Sequence, residues 1–125
     1  MSIKLKLSQL QIFHNRLNII QETADQIIKD FDAFGYEIIF SGNEISAYEE
    51  LFKQITPLIE SLIHNNYEKL MNVLYRIDVV EKVITPELKN NNPRELAAII
   101  TKIVLERELK KVVTRNYYKQ LQKES

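Results

Sequence analysis

A chain of 125 residues, 45% hydrophobic and 27% charged, is long enough to bury one core without staples and has the balance of a globular domain. Its formal charge is zero, from 17 basic and 17 acidic residues, which argues against bulk attraction to nucleic acid or to an acidic membrane. Cysteine is absent and there are only two glycines and three prolines, which excludes disulfides and thiolate chemistry and leaves too few turn residues for a sheet protein of this size.

The first predicted helix spans about 7–34. Leu10, Phe13, Leu17, Ile20, Ala24, Ile27, Phe31 and Phe34 alternate spacings of three and four, the seam of a left-handed bundle. Gly35 follows directly and suits the C′ position, where positive φ carries no Cβ penalty. Tyr36, Ile38, Ile39 and Phe40 are then expected to fold back over one end of the core.

The second helix is expected at about 47–64. Ser46 and Glu49 form an S-x-x-E capping box, and Tyr48, Leu51, Phe52, Ile55, Leu58, Ile59, Leu62 and Ile63 make one stripe at helical spacing. Pro57 lies inside it and predicts a kink near Lys53 to Thr56. The run "HNN" at 64–66 reads as a tight turn. The third helix follows at about 67–84, with a seam of Leu70, Val73, Ile77, Val80 and Ile84. In "TPELKNNNPREL" both Thr85–Pro86 and Asn92–Pro93 read as a cap followed by an N1 proline. The first is expected to make one short turn and the second to open a fourth helix at about 93–121.

The charged residues of "LYRIDVVEKVI" separate on the helical wheel. Arg76 falls on the solvent side, Asp78 and Lys82 stand at i and i+4, and Glu81 lies on the shoulder of the apolar seam. A carboxylate there needs a donor. The face carrying Leu96, Ile99, Ile100 and Ile103 continues into Arg107 and Lys110. An interhelical network of Asp78 and Glu81 with Arg107 or Lys110 is therefore expected, and an Arg fork suits it best. In the second half of this helix, however, Leu105, Leu109, Val112 and Val113 lie on nearly the opposite face. Either the helix changes packing partner midway or it buries two faces.

Apolar residues exceed what four stripes need. Leu5, Ile12 and Ile19 on the first helix, Met71, Tyr75 and Val79 on the third, and Leu105, Leu109 and Val112 on the fourth lie off the main seams, and they predict an interface in a homodimer or with another protein. Charge is uneven as well. Residues 34–65 carry five acidic groups and one basic, while residues 107–125 carry six basic and two acidic. Lys111, Arg115 and Lys119, beside Tyr117 and Tyr118, form a candidate basic patch able to hold phosphate and stack on bases. Basic residues near a helix C-terminus also complement the helix dipole, and that reading weighs against nucleic acid.

Catalytic signatures are missing. His14 and His64 have no ligand spacing, two glycines exclude a phosphate loop, and Ser41, Ser46 and Ser61 have no identifiable base. The sequence therefore implies no enzyme, no metal and no cofactor. No apolar run approaches the ~18–20 residues of a membrane span, and "MSIKLKLSQLQIF" lacks the apolar run of a signal peptide, so a cytoplasmic location is expected.

"LYRIDVVEKVI" together with "LERELKKVVTRNYYK" resembles a family of small, all-helical bacterial proteins without assigned function. The resemblance spans about the last 60 residues and implies an all-α fold, with no functional residue to carry over. The expectation is a single all-α domain: an antiparallel, up-down four-helix bundle with a Pro-kinked second helix and a polar loop before helix four. Its expected role is protein interaction or scaffolding through helical surfaces. The alternatives are a regulatory nucleic-acid-binding protein using the basic C-terminal helix and a small-ligand-binding bundle.

Overall fold

A computed structural model describes residues 18–124. Among these residues the chain is all-helical, with five helices and no strand. Helix α1 runs through residues 18–32, the rest of the expected first helix at 7–17 lying outside the described residues; α2 is Ala47–Asn65, α3 Tyr67–Ile77, α4 Glu81–Leu88 and α5 Pro93–Glu124. The expected third helix is thus two helices, and the expected fourth is α5. No helix among the described residues is long and apolar enough to cross a membrane.

The break between α3 and α4 has a local cause. Asp78 adopts φ 72, ψ 33. Its N–H donates to the Tyr75 carbonyl at 3.1 Å, and the Val79 N–H donates to the Leu74 carbonyl at 2.9 Å. These two bonds are a Schellman motif with Asp78 at the position glycine favours and with Val79 buried beside Leu74. The predicted Asp78–Lys82 pair on one helix is therefore not formed: the two residues belong to different segments.

The same motif ends α1 at its expected place. Gly35 has φ 85, its N–H donates to Asp32 at 2.9 Å, and the Tyr36 N–H donates to Phe31 at 3.1 Å. The segment after it lies over the core through Tyr36, Ile38 and Phe40. Two side chains of α2 hold it there. Gln54 bonds both the Ile39 N–H (2.9 Å) and the Ile39 carbonyl (2.8 Å), and Glu50 accepts from the Ser41 N–H (3.0 Å) and hydroxyl (2.7 Å).

Other caps differ from expectation. Ser46 is the N-cap of α2 but makes no side-chain capping bond, since its hydroxyl donates to Glu50 at 2.6 Å, and Glu49 pairs with Lys53 at 2.9 Å. Helix α2 runs through Pro57. Asn66 alone separates α2 from α3; its N–H donates to the Leu62 carbonyl at 2.9 Å and its side chain accepts from the Lys69 N–H at 3.1 Å. Thr85–Pro86 opens no turn and lies inside α4, where Thr85 donates its hydroxyl to the Glu81 carbonyl at 2.9 Å. Asn92–Pro93 behaves as expected, with Asn92 accepting from the Glu95 N–H at 2.9 Å and Pro93 opening α5.

One core joins all five helices. It contains Ala24, Ile27 and Phe31 of α1, Leu51, Ile55 and Ile59 of α2, Leu70, Val73 and Ile77 of α3, Ile84 of α4, and Leu96, Ala97, Ile100, Val104 and Leu105 of α5. Full burial of a side chain such as Phe31 or Ile55 contributes about 1.5–3 kcal/mol. Helix α5 is the common partner. Thr56 of α2 meets Thr101 at 3.1 Å. Further along α5, Asp30, Gln26 and Glu22 of α1 meet Lys111, Arg115 and Asn116 in that order, so α1 runs antiparallel to the C-terminal half of α5. Helix α5 thus meets α2 at Thr101 and α1 from Lys111 to Asn116.

Candidate functional site

The buried face of α5 is centred between the two apolar faces seen in sequence. It takes Leu96 and Ile100 from one and Leu105 and Val112 from the other, and its middle runs through Ala97, Thr101, Val104 and Glu108, all buried. At about 100° per residue Glu108 lies within about 20° of Ala97 on the wheel. Its side chain is fully enclosed, with 0% exposure, although nothing in its residue type favours that position.

Glu108 meets a second buried carboxylate, Asp30 of α1, which is 3% exposed. Asp30 is answered from α3 by Arg76, whose Nε donates to Oδ1 at 3.1 Å, and from α5 by Lys111, whose Nζ lies 3.8 Å from Oδ2. The Lys111 ammonium also lies 2.7 Å from Glu108 Oε1. Four ionisable side chains from three helices therefore converge: Asp30, Arg76, Glu108 and Lys111. Gln26 supports the carboxylate from within α1, donating to Asp30 Oδ1 at 3.1 Å.

With both acids ionised, Asp30 Oδ2 and the two Glu108 oxygens have no well-aligned hydrogen-bond donor. The nearest cation to Glu108 is Lys111, whose Nζ lies 2.7 Å from Oε1. A proton on Glu108 supplies a donor to Asp30 and leaves the other Glu108 oxygen to Lys111. Burial and the hydrogen bond with Asp30, opposed by the bond and charge of Lys111, push the Glu108 carboxyl from 4.5 up to about 8. At neutral pH Glu108 is a carboxylic acid hydrogen-bonded to Asp30, with Arg76 and Lys111 beside the pair.

The network expected around Glu81 takes another form. Arg107 reaches Asp78 at 3.5 Å, but the pair is a surface one, with side-chain exposures of 34% and 73%. Glu81 and Lys110 are exposed, and among the described residues neither joins an ion pair. Arg76 is exposed, as the wheel expects, and its Nε nevertheless reaches the buried Asp30.

The candidate interface residues divide. Val79, Leu105 and Val112 are buried within the chain, so they are not available to a partner. Ile19 and Met71 are half-buried, Tyr75 is 85% exposed, Leu109 is exposed, and Leu5 and Ile12 lie outside the described residues. Beside Leu109, sequence reasoning overlooked a row at steps of four, Val113, Tyr117 and Leu121, all exposed.

The basic patch is largely engaged. Lys111 belongs to the buried cluster, Arg115 pairs with Glu22 at 3.7 Å and donates to Gln26 at 3.4 Å, and Lys119 is exposed. Among the described residues no ion pair joins the acidic segment 34–65 to the basic end of α5, and no group of three His, Cys, Asp or Glu side chains is placed to hold a metal. His64 is exposed at the end of α2, and His14 lies outside the described residues.

An open cleft of about 370 Å³ lies at the α3–α4 break, lined by Met71, Leu74, Tyr75, Asp78, Val80 and Glu81. In comparisons with known proteins the chain matches no family model, no curated protein and no solved structure.

Proposed function

We propose that the protein is a helical interaction module that pairs with a second copy of itself through the exposed side of α5. The row Leu109, Val113, Tyr117 and Leu121 carries this reading: four large apolar side chains, all exposed, at four-residue steps. Single exposed apolar residues are ordinary, whereas an aligned row marks an interaction surface. Covering it contributes about 25 cal/mol per Å² of apolar area removed from water.

Charge supports a copy as the partner. Segment 34–65 has five acidic residues, of which Glu49 meets a cation, Lys53, and α5 presents exposed Lys110 and Lys119. Opposite fields on two copies favour and orient their encounter. In this reading α1, α2, α3 and α5 are the four helices of a bundle, α4 is a connection, and the role is binding rather than catalysis.

A small-ligand site is the second reading, favoured by the cleft at Tyr75, Asp78 and Glu81. It ranks lower because the cleft is open and Arg107 already lies beside Asp78. Nucleic-acid binding ranks below both, because Lys111 and Arg115 face acidic groups of their own chain.

Light scattering of the full chain at ~100 μM tests the proposal, since self-association depends on concentration. A mass of twice 14.8 kDa is expected. Val113→Asp combined with Tyr117→Asp should return the monomer with unchanged helicity. A monodisperse wild-type monomer would reject the reading.

A further inference from the structure

We infer that the contact between Asp30 and Glu108 is a one-proton latch that holds α1 against α3 and α5 and loosens as pH rises. The geometry is specific. Glu108 is fully enclosed, and Asp30 comes from the neighbouring helix and is itself buried. Lys111 is the one cation beside Asp30 Oδ2 and the two Glu108 oxygens, and a proton on Glu108 adds the donor that joins the two acids. The charged groups facing the pair are Arg76 from α3 and Lys111 from α5. The next pair along the α1–α5 contact is Glu22 with Arg115, and Arg107, one residue before Glu108, turns to Asp78. Among the described residues no ion pair joins α2 to this cluster.

Only docking of α1 brings the two carboxyls together. With α1 displaced, Glu108 meets water and returns to an ordinary carboxyl, so docking takes up a proton above about pH 4.5. The direction follows from the raised value of about 8 in the docked state. The docked form is fully favoured below about pH 4.5, weakens as pH rises toward 8, and weakens no further above it. Displacing α1 uncovers the α5 stripe around Glu108 and Val112. The latch therefore couples proton concentration to the exposure of a helix face.

Carboxyl-carbon NMR and amide exchange on the full chain test this. The Glu108 carbon is expected to titrate within about one unit of pH 8. Protection of α1 amides, corrected for intrinsic exchange, should fall by up to tenfold per pH unit between about 5 and 8, while α2 amides hold theirs. Glu108→Gln, whose amide can still donate to Asp30, should make α1 protection flat across that window. The proposal is overturned if the Glu108 carbon titrates below about pH 6, if wild-type α1 protection is flat, or if Glu108→Gln keeps the slope. Should that variant not fold, the wild-type carboxyl titration decides by itself.

Discussion

Two sets of opposite charges tie α5 to its neighbours within a single turn, from Arg107 to Lys111. At Arg107 the partner is Asp78, on the surface and 3.5 Å away. At Glu108 and Lys111 the partners are Asp30 and Arg76, with both acids enclosed. Each set holds an Arg–Asp pair, and burial separates them. Water screens the first set, so it contributes little. In the second set each charge depends on the others, because an unpaired ion in the interior costs several kcal/mol.

Glu108→Gln should break this comparison most strongly. It removes the ionisation that the fold resists, so the variant should be more stable than wild type at pH 8. The displacement from 4.5 to about 8 sets an upper bound of about 5 kcal/mol. The gain should shrink toward zero by about pH 4.5, where both chains carry an uncharged group at 108. Urea unfolding at pH 5 and pH 8 measures both ends, and a variant less stable at pH 8 would show that the site tolerates the ionised acid.

Arg76→Ala comes next. It leaves Asp30 buried without its best donor, and a loss of about 2–3 kcal/mol is expected, below the full value for a buried pair because the arginine is partly exposed. A shift in denaturant midpoint at unchanged slope would register it. Arg107→Ala should cost less than about 1 kcal/mol, whereas the network expected from sequence required more than about 2. High salt should narrow the gap between this variant and wild type.

The smallest effect concerns the backbone under the surface pair. Asp78 holds φ 72, a region that costs an L-residue about 1 kcal/mol relative to glycine. Asp78→Gly should therefore exceed Asp78→Ala in stability by about 1 kcal/mol, although both lose the Arg107 contact. Equal stabilities would mean that the Schellman geometry at this position stores no strain.

Much of the helical framework was legible. The seam of α1, its stop at Gly35 and the Asn92–Pro93 start of α5 depend on bonds within a few residues, so local chemistry decides them. The break at Asp78 was not legible. The apolar spacing continues through it, and Asp tolerates the left-handed region without announcing it; burial of Val79 beside Leu74 favours the turn. Thr85–Pro86 misled in the opposite way, since a proline in the second turn of a short helix removes a single internal bond.

Glu108 was hidden for a related reason. Following apolar residues along α5 gives two faces, and the buried face joins the inner edges of both, with Thr101 and Glu108 in the middle. The alternation Ala97, Thr101, Val104, Glu108, Val112 has helical spacing throughout, but hydrophobicity ignores two of its five members. Sequence alone determined that the chain is helical, where most helices start and stop, and that more apolar surface exists than four stripes need. Tertiary structure decided which charges are enclosed. Enclosure of Glu108 depends on α1 lying against the second half of α5, a contact between residues some 80 positions apart that no local rule encodes.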